Sequence, residues 1–258
     1  MDIKGKVAVV TGGASGIGRA LATRFVNEGA SQVVIADLNE EGLNRVAKEI
    51  GARAIRTDVA NESDVISLIK TTEKDYGQID LLCNNAGIGL SGGPEVDNEG
   101  WERIWQINVM AHVYAARAAI PGMLARGEGY IVNTASAAGL LSQVGSAPYA
   151  VTKHAAVGFA EWIALTYADR GLKVSVLCPQ AVRTAMTAGN EGGVASQDGM
   201  IEPEVLCDSV MEAIAAETFL IIPHQEVLKY MRNKTSDYDR WIRGMSRLHA
   251  TYGDNNWP

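Results

Sequence analysis

The sequence predicts an α/β domain built on a parallel, doubly wound sheet, and three observations carry that expectation. Short β-branched runs alternate with segments of helical period, a glycine-rich turn joins the first run to the first helix, and residues with chemical capability recur just after the runs. At 258 residues, 47% hydrophobic and 21% charged, the chain is long enough for a full core. No linker, repeat or low-complexity stretch interrupts it, so residues 1–258 are read as one domain.

Lys6-Val-Ala-Val-Val-Thr11 is a buried-type strand that runs straight into Gly12-Gly-Ala-Ser-Gly16-Ile-Gly18, and Arg19 to Glu28 then keep helical period until Gly29. Strand, glycine loop and helix in this order bring backbone N–H groups to a pyrophosphate at a helix N-terminus. The spacing departs from Gly-x-Gly-x-x-Gly, so a tight structural turn stays open as the simpler reading. Gln32-Val-Val-Ile-Ala-Asp37 counts against it. This second strand ends in an acid nineteen residues after Gly18, where a ribose 2′-hydroxyl would be gripped. Leu38 and Asn39 supply no cation for a 2′-phosphate and Asp37 repels one, which favours NAD over NADP.

Ala52 to Val59 reads as the third strand, and Asn61 to Tyr76 as a helix with Val65, Leu68, Ile69 and Thr72 inward. Gln78 to Asn84 is the fourth strand, ending in Asn84-Asn85-Ala86-Gly87. A glycine-rich loop, Ile88 to Pro94, leads to one long helix from about Asn98 to Arg126, on which Asn108 is a polar residue with the simple reading of a surface or capping amide. Gly129 to Ser136 is the fifth strand, Tyr149 begins the next major helix, and Leu172 to Pro179 is the sixth strand. From Gln180 to Met200 few order signals occur, and residues 185–200 are expected to form a mobile substrate lid. Pro203 to Glu217 is helical, and Phe219 to Pro223 is the seventh strand. In the extension 224–258, Val227, Met231, Tyr238, Trp241, Ile242, Met245 and Leu248 make an amphipathic helical stripe that has to bury its face on its own domain, a partner subunit or the substrate pocket.

A formal net charge of −7 argues against a nucleic-acid footprint. No apolar stretch approaches the roughly 20 residues of a membrane span, and Met1 to Lys6 lead into the first strand without a signal peptide. A cytoplasmic chain with a small-molecule partner is expected. Cys83, Cys178 and Cys207 are too scattered for a disulfide framework, and the four histidines lack paired ligand spacing, so no metal is expected.

Tyr149 and Lys153 stand four apart in a helical segment, which sets an ammonium beside a phenol. Ionising a free Tyr near neutral pH needs about 4 kcal/mol, which one charge about 4 Å away supplies at an effective dielectric of about 20. The pair makes a general base, with the Ser136 hydroxyl available to hold a substrate oxygen. Eight Tyr at a Lys frequency of 9 in 258 give about 0.3 accidental matches, so the motif alone is weak.

Thr11-Gly-Gly-Ala-Ser-Gly-Ile-Gly18, Asp58-Val59, Asn84-Asn-Ala-Gly87, Asn108, Ser136, Tyr149-x-x-x-Lys153 and Pro179 through Thr184 together resemble the classical short-chain dehydrogenase/reductase family over residues 5–223. The resemblance implies a seven-stranded Rossmann-type core and a catalytic set of Asn108, Ser136, Tyr149 and Lys153. Tyr149 would serve as acid or base, Ser136 would hold the reacting oxygen, Lys153 would lower the Tyr149 pKa and bind the nicotinamide ribose, and Asn108 would support a water leading to solvent. For NAD it implies Gly12, Ser15, Gly16, Ile17 and Gly18 at the pyrophosphate, Asp37 and Leu38 at the adenosine ribose, and Asp58 and Val59 at adenine. Asn85, Ala86 and Gly87 would lie along the cofactor, with Val182 and Thr184 at the carboxamide. Residues 152–159 and 178–186 look like the 15-hydroxyprostaglandin dehydrogenase group.

Two departures stand out. Gln180 follows Pro179 where the family usually has glycine, and the usual Asp-Gly-Gly after the seventh strand is replaced by Pro223-His224 and the long tail. A homodimer is expected, with a homotetramer as the alternative. The implied activity is NAD-dependent hydride transfer to or from an apolar or aromatic secondary alcohol or ketone. A regulator that binds NAD without turnover is the competing reading, and Tyr149→Phe separates the two.

Overall fold

The computed structural model describes residues 1–189 and 192–253. Seven strands form one parallel sheet: β1 (Val7–Thr11), β2 (Gln32–Asp37), β3 (Arg53–Arg56), β4 (Leu81–Asn84), β5 (Gly129–Thr134), β6 (Leu172–Leu177) and β7 (Leu220–Ile221). They lie in the order β3-β2-β1-β4-β5-β6-β7. Every residue of β1, β4 and β5 is buried, because helices cover both faces of the sheet. The edge strand β3 exposes Arg53 and Arg56, a charged rim that discourages further pairing.

Helices α1 (Gly16–Asn27), α2 (Glu40–Ile50) and α8 (Pro203–Ala216) pack on one face, where Leu21, Phe25, Val46 and Leu206 meet Val10 and Ile35. On the other face α3 (Glu62–Tyr76), α5 (Ala111–Arg126) and α7 (Ala147–Tyr167) bury Val65, Leu68, Ala115 and Ile163 against Val9, Leu82 and Ile131. Side-chain caps begin several helices. Asn39 accepts from Gly42 N at 3.1 Å and Asn61 from Ser63 N at 2.9 Å.

Three expectations are corrected. The long helix from Asn98 is divided into α4 (Asn98–Trp105), a π-turn over Gln106–Met110, and α5. Asn108 sits inside that turn, fully buried rather than at the surface or a cap. The C-terminal stripe is two helices, α9 (Glu226–Ser236) and α10 (Tyr238–Tyr252), because Asp237 adopts an extended backbone and caps the second by accepting from Arg240 N at 2.9 Å. The two differ in how they meet the domain. Val227 of α9 is buried with Ala137 and Leu141, whereas α10 buries no residue and reaches this cluster only with the half-buried Trp241. Of the expected lid, positions 190 and 191 lie outside the described residues, as do 254–258 of the extension. The residues flanking the rest of the expected lid are joined by a parallel bridge between Val182 and Ile201. No helix among the described residues is long and apolar enough to cross a membrane.

Asp80, just before β4, is a core carboxylate that periodicity did not single out. It is 3% exposed, accepts from Val7 N at 2.8 Å and from Gln78 Nε2 at 2.7 Å, and so clamps the start of β1 to β4. Replacing Asp80 with Ala leaves the buried Val7 N–H unmet, and a loss of about 1–3 kcal/mol is expected from urea unfolding midpoints.

Candidate active site

The sheet order reverses at β1, whose neighbours are β2 and β4, and ligands of open α/β sheets bind where the loops after such strands diverge. A cleft of about 410 Å³ opens there. It is lined by Gly12, Ser15, Gly16, Ile17, Asp37, Leu38, Asp58, Val59, Asn85, Ala86, Gly87, Ser136, Tyr149, Lys153, Val182 and Thr184. Two anticipated residues, Gly18 and Asn108, are placed behind this lining rather than in it.

Gly18 acts through what it lacks. A Cβ there would stand 2.2 Å from Gly12 O and 2.6 Å from Asn85 Nδ2, so only glycine lets α1 close onto the loop. Thr11 joins this loop to the turn after β4. Its Oγ1 accepts from Asn85 N at 3.0 Å and Ala86 N at 3.1 Å, while its carbonyl accepts from Asn85 Nδ2 at 3.0 Å. Asp37 accepts from Ala14 N at 3.1 Å and from Asn39 N at 2.9 Å, which holds its carboxylate at the rim of the cleft beside the exposed Leu38. Asp58 accepts from Ala60 N at 3.0 Å, which shapes the neighbouring wall. Across the loop, a Cβ on Gly16 would lie 3.1 Å from Thr184 Cγ2, so residues 182–184 close over the first turn of α1.

Ser136 follows β5, and Tyr149 and Lys153 project from the first turns of α7. The Lys153 ammonium donates to Thr134 O at 3.0 Å and lies 5.6 Å from the centre of the Tyr149 ring, on a residue only 3% exposed. Ser136 Oγ accepts from Ala138 N at 3.1 Å and donates to Pro179 O at 3.4 Å. Asn108 Oδ1 accepts from Ile88 N at 2.9 Å, and its Nδ2 donates to Ile88 O at 3.0 Å and Thr152 Oγ1 at 3.2 Å. Its side chain thus pins the loop after Gly87 to α7. A Cβ on Gly87 would stand 3.2 Å from Asn108 Oδ1 and 3.4 Å from Lys153 Nζ, so that glycine lets the cleft wall meet both.

Sequence reasoning missed several lining residues, among them Thr134, Ile107 and Arg103. Ile107 precedes Asn108 in the π-turn, and the expected straight helix carried no signal of its direction. His112, one turn beyond Asn108, is 1% exposed with neither ring nitrogen bonded, and burial first and the Lys153 charge second push its pKa down to about 3. The three cysteines are buried thiols, and no group of His, Cys, Asp and Glu suited to a metal occurs among the described residues.

The expected depression of the Tyr149 pKa is absent from the chain alone. Burial raises it, with partial relief from a hydrogen bond to Ser136, and burial lowers Lys153 from 10.5 to about 8. Desolvation dominates at both groups, because burial takes water from each charged form. A lysine depressed in the folded state binds fewer protons than in the unfolded chain between about pH 8 and 10.5, so its burial weakens the fold most below that window. Lys153→Met is therefore expected to melt about 2–4 °C above the native chain at pH 7 without cofactor, the shift that about 1 kcal/mol gives at this size. The gap should close as the pH rises from about 8 to about 10 in thermal melts.

Residues 6–193 match the family described as short chain dehydrogenase. Over 195 residues, 72% of this chain and 75% of the relative, the sequence is 37% identical to 3beta-hydroxysteroid dehydrogenase 2 of Eggerthella lenta. It is 36% identical over 252 residues to 1-deoxy-11-beta-hydroxypentalenate dehydrogenase of Streptomyces exfoliatus, covering 94% of this chain and 91% of that one. A Burkholderia phymatum short chain dehydrogenase/reductase solved in complex with NAD superposes with a TM-score of 0.84 at 31% identity, over 93% of this chain and 96% of that chain. A 3-ketoacyl-(acyl-carrier-protein) reductase from Brucella melitensis, complexed with NADH, superposes with a TM-score of 0.79 at 30% identity, over 85% of this chain and 96% of that chain. With Ser136, Tyr149 and Lys153 gathered on one wall of the cleft, and with this extent of match, the chain belongs to the short-chain dehydrogenase family.

Proposed function

We propose that this chain is an NAD-dependent dehydrogenase or ketoreductase acting on an apolar or aromatic secondary alcohol or its ketone. The observation that carries the reading is the placement of Ser136, Tyr149 and Lys153 on one wall of a cleft that also includes Asp37. The residues fit a dinucleotide. Gly12 and Gly16 line the cleft at the start of α1, where backbone donors would meet a pyrophosphate, Gly18 behind them lets α1 close onto the loop, and Asp37 offers a carboxylate to a ribose diol while opposing a 2′-phosphate.

When bound, the nicotinamide supplies the hydride acceptor or donor. Tyr149 takes the hydroxyl proton of the alcohol in oxidation and returns it in reduction, and Ser136 Oγ holds the same oxygen. Lys153 would hold the nicotinamide ribose, and its ammonium, 5.6 Å from the Tyr149 ring centre, would stabilise the phenolate once the cofactor is in place. Asn108 fixes the Ile88 turn against Thr152, one residue before Lys153, and thereby positions that ammonium. Val182 and Thr184 would hold the nicotinamide side, with Asp58 and Val59 at the adenine and Asn85 to Gly87 between, all of them residues that line the cleft.

Ile88, Ile107, Val182, Ala185 and Met186 line the cleft, which supports an apolar substrate, whereas Ala137, Leu140 and Leu141 pack behind it against Val227. The hydroxysteroid and hydroxypentalenate names of two relatives support the same class. The likeness of residues 152–159 and 178–186 to the 15-hydroxyprostaglandin dehydrogenase group is consistent with a secondary carbinol on an apolar skeleton. A cofactor-sensing regulator has no use for the Ser136, Tyr149 and Lys153 set. We also propose a homodimer. Val151, Trp162 and Leu165 stand on the outer side of α7, Leu165 at 84% exposure, and a second copy covering them would remove that apolar surface from water.

NADH appearance with hydrophobic secondary alcohols tests the activity. Tyr149→Phe is expected to lower kcat at least about 100-fold while NADH binding stays unchanged. Asp37→Ala is expected to narrow the NAD preference over NADP, read as the ratio of kcat/KM values. Light scattering should give twice the chain mass for the native protein and the single chain mass for Leu165→Glu.

A further inference from the structure

Gln180 departs from the family pattern and takes no part in the proton or hydride transfer. It follows Pro179, lines the cleft, and its side chain turns toward the segment that returns from the lid. Gln180 Nε2 donates to Asp198 Oδ2 at 3.0 Å, and the other carboxylate oxygen, Oδ1, accepts from Tyr230 OH of α9 at 2.9 Å. One carboxylate therefore joins three separate parts of the chain: the loop after β6, the returning lid and the C-terminal extension. Both of its partners are neutral donors, and the described residues form no salt bridge with it.

Gln180 lines the cleft itself, and α9 packs behind it, outside the lining. The Gln180 backbone N–H donates to His224 Nδ1 at 3.2 Å. One turn before Tyr230, Val227 is buried with Ala137 and Leu141 just beyond Ser136, and Lys234 Nζ donates to Leu140 O at 2.7 Å. Pro179 is held independently, since its carbonyl accepts from Ala137 N at 2.8 Å. Loss of the side-chain contacts would thus loosen the wall without moving the strand end that carries Ser136.

We propose that Gln180, Asp198 and Tyr230 form a polar clasp through which α9 braces the Gln180 wall of the substrate pocket from behind, with Gln180 as a positioning residue that sets substrate affinity. This deepens the dehydrogenase reading and rests on it for the word substrate. The clasp works because a donor faces an acceptor. Gln180→Glu places a second carboxylate against Asp198 and opens it, whereas Gln180→Glu with Asp198→Asn reverses the polarity. The amide nitrogen introduced at position 198 then donates to the carboxylate introduced at position 180, while the amide oxygen still accepts from Tyr230.

The test measures steady-state kinetics, NADH affinity and backbone hydrogen exchange for the native chain, the single variant and the double variant. Gln180→Glu is expected to raise the KM for the alcohol about 10-fold, the factor of about 1.4 kcal/mol for a lost charge-assisted bond, with kcat and NADH affinity within about 2-fold. Exchange across residues 193–201 and 226–236 is expected to quicken about 10-fold. Adding Asp198→Asn should restore both readouts, and Tyr230→Phe should reproduce the exchange effect at 226–236. An unchanged KM in a Gln180→Glu chain that turns over the alcohol, a fall in kcat in place of the KM effect, or no rescue by Asp198→Asn would overturn the proposal. If the native chain oxidises none of the alcohols, the dehydrogenase reading fails, and exchange alone then decides the clasp: equal exchange in all variants refutes it.

Discussion

The site depends on the Thr11 hydroxyl. It sits at the end of β1, where the sheet reverses direction, and its oxygen accepts two consecutive backbone N–H groups from Asn85 and Ala86. Those N–H groups belong to a turn that leaves the sheet and has no ladder partner, so the hydroxyl satisfies them. The glycine loop on one side and the Asn-Ala-Gly turn on the other are thereby fixed against each other. Gly12 and Gly18 can approach that seam because they have no side chain to fill it. The cleft is the gap left where two loops are tied at their roots and diverge above them.

Much of the architecture was legible in the chain because its signals are local. The central strands β1, β2 and β4 are apolar runs that stop at Gly12, Asp37 and the Asn84-Asn85 pair, and a strand buried on both faces has no other way to be written. Val65, Leu68, Ile69 and Thr72 read as the inward side of α3 and are buried there. The polar residues at the strand ends could be placed on one rim because all strands of a parallel sheet end on the same side. What local pattern could not carry was geometry between distant segments. The π-turn has no periodic signature, so Asn108 read as a surface amide although its partners, Ile88 and Thr152, enclose it completely. Asp80 is likewise invisible to hydropathy, since its value lies in a backbone N–H at Val7, far away in sequence. The tail's stripe was expected to bury its face, yet α10 leaves Tyr238, Ile242 and Leu248 exposed, and the stop at Asp237 escaped notice because an aspartate that caps a helix and one that decorates it look alike.

The contrast between Tyr149 and Lys153 shows why proximity alone does not make a base. Charge pairing estimated at a surface-like dielectric favours the ionised phenol, yet the same wall that brings the two groups together also removes water from both. The chain by itself thus holds a neutral phenol beside a lysine that is easily deprotonated.

The π-turn at residues 106–110 has a bearing on how this helix tolerates change. One residue occupies about 100° of a regular helix, and a π-turn absorbs a single extra residue without shifting the helix on either side. Here α4 and α5 each keep their own buried side, Ile104 on the first and Ala115 and Ala119 on the second, while the turn sets the phase between them. Asn108 meets Ile88 and Thr152 because of that offset, not because of its place in an unbroken periodicity. The segment is therefore a spacer whose length is a structural variable in its own right: losing one residue would let α4 and α5 run on as one regular helix with each keeping its buried side, and would remove the offset that aims the amide at Ile88 and Thr152.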